Sequence, residues 1–500
     1  MIKLNGELLE RIQANRKRIA DKQYCVPEVF ANGGDWPGDW QGRTILSLAS
    51  LYNALEGFDN ERKGVLKQLT DILDALDKET NPYGYFGALL DPEKVDEQQI
   101  SGNSWFLRGL CESYQITKDE KIFDRIHSII NNYLLKLSDA YDRYEIKKRH
   151  SGEVSGCLSD EVDNCWKYSS DVGCAFIMLD GMSHCYALTK NEELKKLIDK
   201  LVDRFVATDY VGLSFQTHAT CSCTRGIIRM YENTGDDAYL SKAIAIFDNY
   251  LNFGMTKDYC NINWFNKPNS WTEPCCIVDS YIIAAKLYKI TNDHKYLTIL
   301  NRIYLNALPA SQRSNGGAGC NTCLNDENNV LKCFLYEAFF CCSMRLSEGL
   351  KCIVETIHTD NRFLFFFEGR IETEAYSAEI TGDVYKDNEI VFERKDDRDG
   401  LISLAFYLHK DYDLLSENVQ RNGNFVTISL KPFEKITVGI RRSHHLEGDV
   451  YYLGDNILFK NTGDVANSSP KVTIDGTQCE YIMNYLHVKE EDAEKVEQRL

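Results

Sequence analysis

The 500-residue sequence holds no apolar run long enough to cross a bilayer, which excludes a helical membrane span. Its first residues, MIKLNGELLERIQANRKRIADKQY, are polar and amphipathic, without the apolar core of a secretion signal. Excess positive charge is also missing. Lys and Arg number 57 against 75 Asp and Glu, and the net charge of -18 argues against nucleic acid and anionic membrane as partners. A neutral or cationic small molecule is compatible with that charge. No long linker or low-complexity segment interrupts the chain. The 43% hydrophobic content supplies a large core, and the length predicts two or three domains. What the chain has in plenty is cysteine, 18 in all. A chain of this size needs no disulfide staples, and without an export signal we read the cysteines as reduced thiols of a cytoplasmic protein. Most are then small buried hydrophobes. Cys111, Cys174 and Cys185, set among helix-core residues, fit that description.

A short phrase recurs along the first two thirds: Tyr114, Thr117, Asp119; Tyr186, Thr189, Asn191; Tyr231, Thr234, Asp236; Tyr288, Thr291, Asp293. Each copy follows a mostly apolar helical stretch and precedes an amphipathic one, such as YLSKAIAIFDNYL. The Asp or Asn suits the cap of the second helix, so each copy marks the turn of a helical hairpin. Arg43 to Leu55 predicts a further hairpin, and Ala338 to Leu350 one more inner helix. Hairpins of this kind either stack into an open, protein-binding solenoid or close into a ring. About six inner helices suffice for a ring, so the expected fold is an (α/α)6 toroid.

The inner helices all run toward their Tyr-x-x-Thr turns, so their starts must gather on one face. Those starts hold Asp39-Trp40, Asn103-Ser104-Trp105, Asp171, His218, Glu273-Pro274-Cys275 and Cys341-Cys342. Adjacent cysteines such as Cys341 and Cys342 do not readily bond to each other, but both can direct thiolates at one metal ion. With Cys275 and Glu273 they make the four ligands of a tetrahedral zinc site. A competing set pairs Cys320 and Cys323, a Cys-x-x-Cys, with Cys341 and Cys342. Rim aromatics, among them Trp40, Trp105 and Trp264, suit stacking on sugar rings, and equally suit packing.

Beyond Lys351 the pattern becomes β-rich, with runs such as RFLFFFEGRIETEAY, ISLAFYLHK, NFVTISLK and KITVGIRRS. Asn422-Gly423 and Asp475-Gly476 supply turns. The expected organisation is a mainly α toroid over residues 1–350, a C-terminal β-sandwich over 351–487 and a charged helical tail over 488–500. His444-His445 is expected to be surface chemistry without a role.

Helical repeats, then Glu-x-Cys, then Cys-Cys ahead of a β domain resemble glycoside hydrolase family 127, whose relatives include β-L-arabinofuranosidases. The resemblance runs from about Trp36 to the β domain. It implies that Glu273, Cys275, Cys341 and Cys342 bind Zn2+ and that Cys341 is the nucleophile. Cys341 would form a thioglycosyl intermediate that water hydrolyses with net retention. The resemblance also implies a substrate-binding role for His218, with Asn103 and Asp171 where related residues are expected. One departure stands out. The family's acid/base glutamate falls here at Lys257; the adjacent carboxyl, Asp258, is the first candidate substitute, Tyr259 is a weaker acid, and Asp171 or Glu97, at other helix starts, could also reach in.

The sequence thus predicts a cytoplasmic, zinc-dependent exo-glycosidase acting on a small carbohydrate, with L-arabinofuranose the first candidate. Association with a second copy stays open. Basic residues near the rim motifs are few, Arg43, Arg108 and Lys257, which favours a neutral sugar over a uronate. The alternatives are another sugar enzyme on the same toroid, an epimerase or unsaturated-uronide hydrolase, and a non-catalytic protein with structural zinc.

Overall fold

The structure is a computed structural model that describes residues 3–31, 34–149, 155–359, 361–364, 369–381, 388–417, 419–460 and 469–500. The first two thirds are helical and the C-terminal region is rich in strands. Six helices, Asp39–Ala54, Glu97–Thr117, Met178–Thr189, Thr217–Thr234, Pro274–Thr291 and Cys342–Thr356, are buried along most of their length. Each packs on the next, and the last packs back on the first. Around them lie the amphipathic helices Asp59–Glu79, Glu120–Ile129, Glu192–Val206, Asp237–Phe253 and Lys295–Arg302, each paired with the inner helix before it. The helix Glu7–Ile19 covers the last inner helix, so the chain's beginning completes the outer layer.

The recurring phrase does build the hairpin turns, and each of its residues has a job. Lys118, Lys190, Gly235 and Asn292 adopt left-handed backbone, and their N–H groups bond the carbonyls of Tyr114, Tyr186, Tyr231 and Tyr288. That closes each inner helix. The Thr hydroxyl turns back to the helix; Thr117 donates to the Ser113 carbonyl at 2.9 Å. The Asp or Asn then opens the outer helix, as Asp236 Oδ1 accepts from Ala238 N at 2.9 Å. Between neighbouring inner helices, glycine permits close approach. A Cβ on Gly42 would sit 2.2 Å from the Phe106 backbone nitrogen, so a larger residue there would force the two helices apart.

Among the described residues the strands form a six-stranded sheet, a five-stranded sheet and a third, seven-stranded one, besides a short pair, Val95–Asp96 with Trp166–Lys167, within the helical region. Phe392 of the first sheet stacks on Phe406 of the second at 5.5 Å, so apolar faces of these two sheets meet. Asn422-Gly423 and Asp475-Gly476 are hairpin turns, with Gly423 at φ 60° and Gly476 at φ 80°. Residues 365–368 of the run RFLFFFEGRIETEAY lie outside the described residues. Two ends differ from the sequence reading. Lys3–Gly6 pairs with Gly369–Glu372, which ties the N-terminus into the first sheet. The charged C-terminal segment is helical only at Glu490–Ala493; Glu497–Arg499 is a strand that joins Val330–Lys332 to the third sheet. Four helical residues cannot hold a helix alone, and the open strand edge offers hydrogen bonds instead. No described helix is long and apolar enough to cross a membrane.

Candidate active site

Two inner-helix starts carry the cysteine clusters. Glu273 is the N-cap of one helix, with Pro274 at its first position and Cys275 at its second. Its carboxylate does not cap its own helix, and its backbone N–H is held by Asn261 Oδ1 at 3.1 Å. Cys341 is the N-cap of the other helix, and Cys342 begins it. The Cys275 and Cys342 sulfurs lie 3.4 Å apart, and those of Cys341 and Cys342 3.3 Å apart. Glu273, Cys275, Cys341 and Cys342 each offer one ligand atom, and these four atoms all lie within 4.8 Å of one another.

This donor set fits a zinc ion. Zn–S bonds of ~2.3 Å give tetrahedral S···S edges of about 3.8 Å, close to the spacing here. The Glu273 Oε2 atom is buried without a hydrogen-bond partner. Burial, followed by Cys341, pushes the Cys275 thiol well above its ordinary value. Burial, with Cys275 and Cys320 next, does the same to Cys342. For Cys341 the Cys275 hydrogen bond pulls down, but Cys342, burial and Glu273 outweigh it, and that thiol is raised too. Three raised thiols and an unpartnered carboxylate are what a soft divalent cation would convert into ligands. The rival set gathers only in part, with Cys320 beside Cys342. Cys323 Sγ donates to the Ser270 carbonyl at 3.2 Å, and among the described residues Cys320 and Cys323 belong to no metal-ligating group.

Cys275 and Cys342 are buried, whereas Cys341 keeps partial exposure. Arg43 approaches Cys275 Sγ to 3.5 Å and is anchored by Asp39 at 2.7 Å. Its guanidinium lies 4.2 Å from the Trp105 ring centre, and that of Arg345 lies 4.6 Å from it. On Trp105 stacks His218, at 5.5 Å with planes 7° apart. His218 Nδ1 meets Asp279 Oδ2 at 2.8 Å, leaving the buried Nε2 without a hydrogen-bond partner.

Asp279 and Arg345 carried no role in the sequence reading. The available signal was spacing: Asp279 stands one helical turn beyond Cys275, on the same face. Burial pushes the Asp279 carboxyl up, but Arg345, Arg225 and His218 outweigh it and hold it well below the usual carboxylate range. It anchors a buried network that includes Asp180, Arg229 and Glu348, with Arg229 to Asp180 at 2.6 Å and Arg225 to Glu348 at 2.7 Å. Asp279→Ala would leave Arg225 and Arg345 short of a buried counter-charge. It is expected to cost about 3–5 kcal/mol in urea unfolding, and a loss under 1 kcal/mol would show that the network does not depend on it.

The other predicted residues fall in different places. Asp171 is buried and accepts from Gly156 N at 2.8 Å and Trp264 Nε1 at 2.8 Å. Burial raises its carboxyl to about 6 despite those bonds, and the Glu273 charge adds to the rise. Asp258 is also raised by burial, with Thr256 and Cys260 pulling it back; Thr256 Oγ1 donates to it at 2.5 Å. Lys257 turns to the surface, pairing with Asp326 at 2.9 Å and Asp449 at 2.8 Å. Asn103 is fully buried, and its amide is taken up by backbone: it bonds the Phe86 N–H and carbonyl, each at 3.0 Å, and the Gln99 carbonyl at 2.9 Å. It lies in the second turn of its helix, because Asp96 caps that helix earlier than the sequence suggested. Trp40 is buried against Tyr24 at 5.5 Å. Trp264 packs edge-on to Trp271 at 4.8 Å. A cavity of about 490 Å3 opens there, lined by Trp264, Trp271, Asn269, Ser270, Asn328 and Phe334.

A ring of buried helices with a cysteine cluster at their starts, followed by a β-rich C-terminal region, defines the class of fold. No family model matches the chain, and no curated protein does. Solved structures do match over nearly the whole length. One described as a glycoside hydrolase aligns with TM-score 0.61 at 13% identity, over 95% of this chain and 87% of its own. A GH127 β-arabinofuranosidase aligns with TM-score 0.59 at 13% identity, over 91% and 80%. A GH127 β-L-arabinofuranosidase from Geobacillus stearothermophilus T6 gives 0.58 at 12%, over 95% and 88%. The fold is therefore similar to that of the GH127 enzymes, as the motifs implied.

Proposed function

We propose that this chain is a zinc-dependent, retaining exo-glycosidase on an (α/α)6 toroid with a C-terminal β-sandwich, acting on a terminal L-arabinofuranoside or a related neutral sugar. The observation that carries the reading is the meeting of Glu273, Cys275, Cys341 and Cys342 at the helix starts, beside His218 with its unpartnered Nε2. The four residues would hold zinc, which when bound keeps the cluster's sulfurs as thiolates. Cys341, the cluster cysteine that is partly exposed, attacks the anomeric carbon. The C–S bond forms as the bond to the leaving oxygen breaks, and a carboxyl group protonates that oxygen. The resulting carboxylate then takes a proton from water. That water attacks the same carbon, the C–S bond breaks, and the configuration is retained. His218 Nε2 and the Trp105 region would orient the sugar. The cavity beside Trp271 and Phe334 would take the remainder of the substrate.

Asp171 is favoured over Asp258 as the acid/base. It feels the charge of Glu273 and titrates near 6, poised to give and take a proton. None of the groups that shift Asp258 belongs to the cluster. A general acid must enter the first step protonated, so kcat/KM on an alkyl glycoside is expected to fall as pH rises through about 6. Asp171→Asn should remove that limb and slow alkyl glycosides by about 10²–10⁴-fold, with aryl glycosides affected less. An Asp258→Asn variant showing these losses, with Asp171→Asn unaffected, would reverse the assignment. Across a panel of aryl glycosides, cleavage of uronides but no arabinofuranosides would reject the substrate class.

A further inference from the structure

A second set of metal-ligating side chains lies far from the thiolates in sequence, among the strands. His409 and Asp411 occupy the loop between strands Ile402–Tyr407 and Tyr412–Leu414. His445 and Glu447 project from strand His444–Glu447 of the third sheet. Asp455 sits in the turn before Asn456–Lys460, and Arg302 ends an outer helix of the helical ring. Three parts of the fold therefore meet here.

Three of these side chains, Asp411, His445 and Glu447, converge, and His409 stands behind Asp411. One atom each of Asp411, His445 and Glu447 lies within 4.8 Å of the others. His409 Nδ1 is 2.9 Å from Asp411 Oδ2, yet neither atom makes a hydrogen bond of acceptable direction. His445 Nε2 lies 3.6 Å from the same Asp411 oxygen and 3.2 Å from Glu447 Oε1. Ligand edges around a tetrahedral ion with ~2.1 Å bonds are about 3.4 Å, so these separations bracket the required value.

The surroundings support the arrangement. His409 is 8% exposed, more than nine-tenths buried, with its Nδ1 aimed at Asp411. His445 is held by stacking on Tyr452 at 5.1 Å with planes 11° apart. Arg302 braces Glu447 through both oxygens at 2.8 and 2.9 Å and reaches Asp455 at 3.2 Å. Three carboxylates thus gather where one guanidinium pairs with two of them, and the ion pairs of Asp411 are with the imidazoles. Glu447 also lines a surface cavity of about 520 Å3.

We propose that Asp411, His445 and Glu447 form a second metal site, for a divalent first-row transition ion such as Zn2+, with the buried His409 beside Asp411 orienting that carboxylate. Mixed imidazole and carboxylate ligands suit such an ion. The His444-His445 pair, taken from the sequence as surface chemistry, then divides: His445 is a ligand, and His444 stays on the surface.

The test uses tag-free full-length protein dialysed against Zn2+, then against metal-free buffer, with zinc counted by elemental analysis. Wild type is expected to hold two zinc ions per chain. Asp411→Asn and His445→Ala should each hold one, with affinity for the second lowered about tenfold or more. Cys275→Ala should lose the other ion and keep this one. Asp411→Asn preserves side-chain size, and its unfolding midpoint in metal-free buffer checks that its fold is intact. Zinc content in Asp411→Asn and His445→Ala equal to that of wild type overturns this site and leaves the thiolate cluster standing. Unchanged zinc in Cys275→Ala alone overturns the thiolate cluster and leaves this site.

Discussion

Cys341→Ser is expected to abolish turnover while the protein remains folded, with kcat/KM reduced about 10⁴-fold or more, as when a nucleophile is removed from a covalent mechanism. The substitution exchanges one atom at a helix N-cap, a position where serine is favoured, so the backbone has no reason to move. What changes is the nucleophile. Serine's hydroxyl is a far poorer attacking group than a thiolate and leaves less readily in the second step. Cys341 is also the cluster cysteine that keeps partial exposure as a residue, so a bromoacetamide glycoside should alkylate it in wild type and leave Cys275 and Cys342 unlabelled. Two outcomes would reject the double displacement. One is wild-type turnover by Cys341→Ser. The other is first release of the inverted anomer.

The second large effect concerns the metal. Cys275→Ala and Cys342→Ala are each expected to lose the zinc proposed at the cysteine cluster, whereas Cys320→Ala should retain it. Cys275 is fully buried and Cys342 nearly so, their sulfurs 3.4 Å apart. Removing either leaves a three-ligand site with an unfilled pocket. Apparent zinc affinities of closed thiolate sites reach roughly 10–16 kcal/mol at neutral pH, so most of a very large binding energy is at stake. Elemental analysis reads the loss directly. A falling unfolding midpoint under chelator should accompany it in wild type and be absent from the variants. Tight zinc in both variants would remove the cluster from the mechanism.

Much of this was legible in the chain because it is encoded locally. The Tyr-x-x-Thr-x-Asp phrase specifies a left-handed closing residue, a hydroxyl that turns back and a cap, all within six residues. Repetition of one turn type makes the inner helices parallel, and parallel helices bring Glu273, Cys275, Cys341 and Cys342 to one end. Asn103 shows where local reading stopped. Its helix is buried on every side, so no polar face marks its register, and the start was decided by the Asp96 cap. The proposed acid/base shows a related limit. The sequence offered Asp258 first and Asp171 as an alternative, and only the packing sets Asp171, 102 positions before Glu273, where the Glu273 charge raises its carboxyl.

By itself the sequence determined the helical hairpins, their common direction and a change to a β-rich pattern toward the C-terminus, although the last inner helix runs on to Thr356. Each of these depends on hydrogen bonds or periodicity within a few residues, summed by repetition. Only the tertiary structure decided what stands around the cluster. It set Trp105 against His218, Asp279 between Arg225 and Arg345, and Glu497–Arg499 into a sheet edge. It also gathered His409, Asp411, His445 and Glu447 from two β regions onto Arg302 of the helical ring. These are contacts between distant segments. Their partners are chosen by burial and charge neutralisation in the packed interior, where an unpaired charge is costly, and no local pattern in the chain records that choice.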